Sequence, residues 1–456
     1  MNRRAFAAVA ATLLAITMAP AAQAAPPTDD TSKNGTPPIV GIEILSPADR
    51  ADQLAQEPIL TLSQRVHELT ADVYDAHIAG SKVDTPNRTL VLYWAGQVPN
   101  ELSHLRSQAA ISGVKLVIKS ARYSRQQLMR AADEVMPTSE LYGEPVTVKL
   151  ATDGSGLTVI VDDLPAVARG AKAAKAGELA LLQRISATRS RTGIPITVSA
   201  GRANNPEFQT RAADTSPYWG GAMLSINGGA CTSGFSMYAS GDPSRRFTLS
   251  AAHCFDFLDG VPVSNGVGSA MGTSDFVHEL YDRTAAYDLG VVRLGTSKSN
   301  QPYIYIGNNP TDGVITVSGY RADGVPEGGN YCVHGITAVN CNLISDGQNK
   351  DCSGWPPEGR CVYTIAYHPK TPGTVTACHG DSGGPIYNWT NGGSSVLAAG
   401  IVSWGENTLG SFFAPVISEA RGYNYYVPCQ SGGGMSVVAS AVNNISGLRV
   451  ATPSTP

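Results

Sequence analysis

Cysteine placement constrains this chain more than any other feature. There are eight cysteines, and none precedes Cys231. An even number confined to one half of an exported chain implies disulfides in that half alone. A metal site would need clustered Cys-x-x-Cys or Cys/His spacings, and the nearest approach, Cys378-His379, has no matching second pair. The second half is therefore expected to be stapled by disulfides, with no metal and no cofactor. The first half must fold without cross-links.

Export is read from the start of the chain. Arg3 and Arg4 precede an apolar run over residues 6–18, and Ala22-Gln23-Ala24 supplies the small residues a signal peptidase requires. The run is too short to span a bilayer, so residues 1–24 are expected to be a removed signal peptide of a secreted, extracellular protein. Arg-Arg-x-Phe at positions 3–6 also fits a twin-arginine signal, and both export routes stay open. No later stretch is long and apolar enough to cross a membrane. Nothing in the small net charge of −4 on 456 residues suggests nucleic acid or an anionic membrane surface as a partner, and neither is expected.

At this length two or three domains are expected. Residues 25–60, rich in Pro, Ala, Asp and Thr, read as a flexible leader. From residue 61 the pattern changes. Leu62, Val66, Leu69 and Val73 recur at helical spacing. Strands are predicted over 89–93 and 114–118, helices over 99–112 and 124–135, the latter capped by Ser124. Residues 146–150 and 157–161 read as a hairpin, and a similar stretch follows over 177–198. This is a small α+β region, 61–200. Composition turns polar near 201–216, which marks a domain boundary. Beyond it, short strand-like runs at 222–226, 247–250, 289–294, 314–318 and 396–404 lie among glycine-rich turns. An all-β domain over 213–430 is predicted. The Gly, Ser, Ala and Val of residues 431–456 read as a mobile tail.

Three motifs lie in the β region: Leu249-Ser250-Ala251-Ala252-His253-Cys254, Tyr287-Asp288-Leu289-Gly290, and Cys378-His379-Gly380-Asp381-Ser382-Gly383-Gly384-Pro385. A serine hydroxyl is a poor nucleophile unless a base lies within hydrogen-bond reach, and His253 can be that base. A buried Asp288 carboxylate would fix the imidazole tautomer and stabilise the imidazolium. Glycines around Ser382 permit a sharp turn that aims the N–H groups of Gly380 and Ser382 at one developing oxyanion. Taken singly, each motif has an ordinary structural explanation: a core histidine, a strand-end cap, a turn. Their joint occurrence in the order His, Asp, Ser argues for chemistry.

In these motifs the chain resembles the chymotrypsin-like serine peptidases, in particular the bacterial secreted streptogrisin and α-lytic protease branch. The resemblance implies two six-stranded antiparallel β-barrels, a catalytic triad of His253, Asp288 and Ser382, an oxyanion hole formed by Gly380 and Ser382, and endopeptidase activity through an acyl-enzyme. It implies that Ser403, Trp404 and Gly405 pair with the substrate backbone. It places Thr376 at the base of the specificity pocket and His379 at its rim. Thr376 is not an acid, which disfavours a trypsin-like preference for Lys or Arg and leaves an apolar or mid-sized side chain as the expectation. Phe412-Phe413-Ala414-Pro415-Val416 resembles the strand after Ser-Trp-Gly. The resemblance pairs Cys231 with Cys254 and Cys332 with Cys341. The pairing of Cys352, Cys361, Cys378 and Cys429 stays open: Cys352 with Cys361 would close a short inserted loop and leave Cys378 with Cys429, but the family's usual partner position holds no cysteine between Trp404 and Phe412.

Members of that branch carry a pro-region that assists folding and inhibits the enzyme. Residues 25–212 resemble one by size, position and α+β pattern, with a cleavable boundary near 201–216. The partners implied are peptide or protein substrates and the chain's own propeptide, in a monomer. Ile39-Val40-Gly41 mimics an activated N-terminus but lies 214 residues before His253 and belongs to the leader. The basic residue that pairs with the Asp before the serine in that branch is replaced by Val333 and His334, which leaves the support of Asp381 undefined. Rival readings are a retained binding domain at the N-terminus, a non-catalytic homologue acting as a binding protein, and an acyl hydrolase. The last is disfavoured because His253 precedes Ser382, whereas an α/β-hydrolase places His last.

Overall fold

A computed structural model describes residues 45–70, 73–136, 146–161, 176–200, 214–227, 229–281, 286–306, 313–352, 361–405, 408–418 and 423–455. The predicted signal peptide, Ile39-Val40-Gly41 and the boundary stretch 201–213 lie outside them. The chain divides into two compact units, residues 1–36 and 37–456, and every described residue belongs to the second. No helix among the described residues is long and apolar enough to cross a membrane.

The expected flexible leader ends early, because a helix runs over Pro47–Thr70. Ser46 caps it by accepting from the Asp49 amide at 3.2 Å. Pro47 is tolerated in the first turn, where its missing N–H would have no intrahelical acceptor. Ile59, Leu60, Leu62 and Val66 are buried along one face. The proline-rich composition concealed this apolar stripe. The helix lies on a three-stranded sheet of Ile78–Asp84, Thr89–Ala95 and Lys115–Ala121, with the helix Asn100–Ile111 joining the last two strands in parallel. Ser124 and Gln127 form a capping box for the helix Arg125–Val135. The hairpin Val146–Leu150 and Leu157–Val161 forms, and Ile196–Ala200 joins it in parallel after the helix Ala176–Thr192.

In the second half, an eight-stranded antiparallel sheet curls around Phe235, Phe247, Leu249, Phe255 and Val291. A second barrel closes completely. Its six strands are Asn330–His334, Val339–Cys352, Val362–Pro369, Gly433–Val437, Ser395–Gly405 and Pro385–Thr390, each antiparallel to the next around the ring.

Residues 431–456 are not a mobile tail. Gly433–Val437 closes the second barrel, the helix Val438–Asn444 buries Val438, Ala441 and Val442, and Leu448–Val450 pairs with Ser236–Ala239 of the first sheet. The small residues that suggested flexibility are demanded by contact: a Cβ on Gly434 would lie 2.3 Å from the Trp404 ring. Phe412–Val416 does fall in the strand that follows Ser395–Gly405 in the chain. It lies in Thr408–Ser418, which forms a hairpin with Tyr423–Gln430, and that hairpin pairs with Ala377–Cys378.

The α+β region and the second barrel share one sheet. Val146–Leu150 pairs antiparallel with the end of Val339–Cys352, Val146 opposite Cys352 and Lys149 opposite Asn349. Cys352, Cys361 and Tyr363 are buried in one apolar cluster with Leu128, Met136, Val146 and Val148. Lys350 reaches across to Asp133, and Lys82 to Glu327 at 2.6 Å. On the opposite side, Gln56 of the first helix accepts the Asn330 N–H at 2.7 Å.

Candidate active site

Strand pairing brings the first two candidate residues together. Asp242–Ser250 pairs with Gly290–Leu294, with Ser250 opposite Gly290. His253 lies three residues past the end of the first strand, in the 3-10 turn Ala252–Phe255. Asp288 lies two residues before the start of the second. Their side chains therefore meet at one end of the sheet. His253 Nδ1 is 2.8 Å from Asp288 Oδ2, and the His253 backbone N–H donates to Asp288 Oδ1 at 2.9 Å. The Asp288 side chain is fully buried. Its Oδ2 also accepts the Ser403 hydroxyl at 2.6 Å, so a residue of the second barrel supports a carboxylate of the first. Two contacts to one ring and backbone fix its orientation and hold the proton on Nδ1, leaving Nε2 as the basic nitrogen.

Ser382 is held by both barrels. The Thr232 N–H donates to the Ser382 carbonyl at 2.8 Å, and the Gly383 N–H donates to the Val402 carbonyl at 2.7 Å. The Thr232 hydroxyl donates to the carbonyl of Gly380. Cys231, next to Thr232, is bonded to Cys254, next to His253, and Cys254 Sγ is 3.9 Å from the Ser382 carbonyl. One disulfide thus ties the strand that hydrogen-bonds the serine loop to the histidine turn. Gly380 has a φ of +98°, a conformation that favours glycine. Ser382 itself is buried.

Asp381 is supported by amides rather than by a basic side chain. Its Oδ1 accepts the Thr337 N–H and the Thr337 hydroxyl, each at 2.7 Å; its Oδ2 accepts the Cys378 N–H at 2.7 Å and the Ala338 N–H at 3.1 Å. A Cβ at position 335 would fall 2.0 Å from this carboxyl, so the turn must pass there as Gly335. His334 instead faces the Tyr387 hydroxyl at 2.8 Å. Burial pushes the Asp381 carboxyl up to about 6, against the pull of these hydrogen bonds.

The remaining predicted positions cluster nearby. The Thr376 hydroxyl donates to the carbonyls of Gln430 and Gly432 at 3.1 and 3.3 Å. His379, partly buried, is lowered to about 4 by desolvation. Trp404 and Gly405 pair with Gly434 and Gly433. Cys332–Cys341, Cys352–Cys361 and Cys378–Cys429 are bonded. The supporting Thr232, Thr337 and Gln430 carried no motif that could have flagged them.

The Trypsin family model matches residues 217–420. This stretch is a chymotrypsin-like serine protease domain. Within the protease domain, the closed antiparallel barrel and its barrel-like companion agree with that family's architecture. Among solved structures, an α-lytic protease homologue, N4, is 18% identical, with a TM-score of 0.28; the match covers 47% of this chain and 91% of that one. No curated protein matches the chain.

Proposed function

We propose that this chain is a secreted serine endopeptidase made as a self-processing precursor. His253, Asp288 and Ser382 form the triad in this reading. The observation that carries it is the fully buried Asp288, aimed at both His253 Nδ1 and the His253 amide and backed by Ser403. His253 takes the Ser382 proton as Oγ attacks the scissile carbonyl. The tetrahedral oxyanion is met by the N–H groups of Gly380 and Ser382, and His253 then protonates the leaving amine. Water hydrolyses the acyl-enzyme by the reverse proton path.

The N-terminal region acts here as propeptide, folding aid and inhibitor. The shared sheet supports this, since Val146–Leu150 templates the Val339–Cys352 strand. A barrel closed by pairing between distant segments folds slowly, and a preformed edge lowers that barrier. Asp214 belongs to the protease side: it accepts the Trp219 N–H at 2.9 Å and the Tyr305 hydroxyl at 2.8 Å.

The test is intact mass and N-terminal sequence of the secreted product, wild type beside Ser382→Ala. A mature wild type that retains Asp214, with the variant accumulating as the longer form, is expected. Equal full-length products from both would overturn self-processing and favour a binding protein.

A further inference from the structure

Tyr363 joins the N-terminal region to the chain beside Asp288. It stands near the start of the strand Val362–Pro369 and is buried. Its side chain binds the N-terminal region. The hydroxyl lies 2.9 Å from both the Met129 carbonyl and Asp133 Oδ1, on the helix Arg125–Val135. Asp133 also pairs with Lys350, whose ammonium lies 5.4 Å from the centre of the Tyr363 ring. Its main chain binds the protease side. The Tyr363 N–H donates to the Ala286 carbonyl at 2.8 Å, and Val362 forms a parallel bridge with Ala286. Ala286 lies two residues before Asp288, and the ring of the intervening Tyr287 stands 6.5 Å from that of Tyr363. We infer that Tyr363 is a positioning residue for Asp288, through which the docked N-terminal region sets the carboxylate that orients His253 in the uncut chain. The inference rests on the self-processing protease reading and deepens it, by naming how the N-terminal region acts on the reaction.

The main chain reaches Asp288 from Ala286, which Val362 and Tyr363 hold. A shift of Tyr363 therefore carries Asp288 with it. Hydrogen bonds weaken steeply with misalignment, so the 2.8 Å contact between Asp288 Oδ2 and His253 Nδ1 tolerates little movement. The phenol keeps its proton, because burial and the adjacent Asp133 carboxylate raise it well above its ordinary range. It therefore remains a donor to the N-terminal region while that region is docked, and loses both acceptors when the region leaves. Docked and departed are the two states that a close-packed set of contacts, Asp133 to Tyr363 to Ala286 to Asp288, passes on to His253.

The experiment uses the full chain carrying Ser382→Ala, which keeps it uncut. NMR follows the proton on His253 Nδ1 through its far-downfield resonance and its rate of exchange with water. Asp288→Asn assigns the resonance by displacing it. Tyr363→Phe keeps the ring and the main-chain bond and removes only the hydroxyl. It is expected to speed that exchange at least tenfold and, with Ser382 restored, to slow self-processing at least tenfold. Asp133→Asn, a change confined to the N-terminal region, should speed exchange at least threefold; it keeps the inference testable if Tyr363→Phe fails to fold. A purely structural role would lower the unfolding midpoint and leave the exchange rate of the folded chain where it was. Unchanged exchange in a folded Tyr363→Phe or Asp133→Asn chain would overturn the inference, while self-processing by the parent chain upheld the protease reading. A parent chain that neither cuts itself nor hydrolyses casein would remove that reading and the inference with it.

Discussion

Ser403 donates a 2.6 Å hydrogen bond to Asp288 Oδ2, the same oxygen that faces the ring of His253. The serine belongs to the second barrel and the aspartate to the first, so the orientation of His253 depends on how the barrels meet. A hydrogen bond to a buried charged group contributes about 1.5–3 kcal/mol. Ser403→Ala should therefore lower kcat/KM by about one to two orders of magnitude, with KM moving less than kcat, in steady-state assays of the mature form.

Asp381 makes stability depend on pH in the unusual direction. Its folded carboxyl is pushed up to about 6 from the ordinary value of 3.8. Between those values the folded state holds a proton that the unfolded state has released, so stability falls as pH rises from about 4 to about 6. The loss attributable to this group is about 3 kcal/mol at full extent. Thr337→Val removes one donor and should deepen the loss. Denaturant unfolding at pH 4 and pH 7, in a Ser382→Ala background that prevents self-digestion, reads both.

His379 should stay neutral through the working range. Burial lowers it to about 4, so it binds its proton less readily folded than unfolded, and the stability it contributes is lost as pH falls from about 6.5 toward 4. His379→Gln is expected to leave the acid limb of the kcat/KM profile between pH 5 and 8 where it is in wild type. A displaced limb would assign that titration to His379.

Lys350 and Asp133 form a largely buried ion pair across the shared sheet. Desolvation lowers Lys350 from its ordinary range while Asp133 counters it. Removing one partner of a buried pair costs about 3–5 kcal/mol, because the other charge is stranded. Asp133→Ala in the Ser382→Ala precursor should lower the unfolding midpoint clearly, whereas the exposed Arg65–Glu68 pair should yield no more than about 0.5 kcal/mol.

The Cys352–Cys361 bond lies in the apolar cluster of the N-terminal region, with Cys361 Sγ 3.5 Å from the Met136 carbonyl. Replacing both cysteines with serine should reduce the yield of folded, processed enzyme several-fold. The kcat/KM of the enzyme that does mature should also fall, by less than the yield, because Val362 beside Cys361 bridges Ala286 and the Tyr363 N–H donates to the Ala286 carbonyl at 2.8 Å, two residues before Asp288.

The candidate triad was legible as motifs, and the fold brings two of its members, His253 and Asp288, into contact. His253, Asp288 and Ser382 sit in motifs beside strand patterns, and few residue types can act as nucleophile, base and orienting acid. Thr232, Thr337 and Gln430 were not readable, since each acts through a contact made only when distant strand ends meet, and a threonine or glutamine alone signals nothing. The first turns of the helix from Pro47 were hidden because they meet distant segments, Gln56 bonding Asn330 274 positions on. The strand Gly433–Val437 was hidden because glycine demanded by an indole ring is spelled the same as glycine in a loose tail.

If the N-terminal region departs, the Val146–Leu150 strand departs with it, and the main-chain donors and acceptors of Asn349–Cys352 lose their partners on that side. A bare strand edge invites stray pairing with other chains. Here the freed edge carries Lys350 and ends in a cystine-closed hairpin, two features that discourage such pairing. The lysine paired with Asp133 in the intact chain would then serve, on the freed edge, as a guard against clumping.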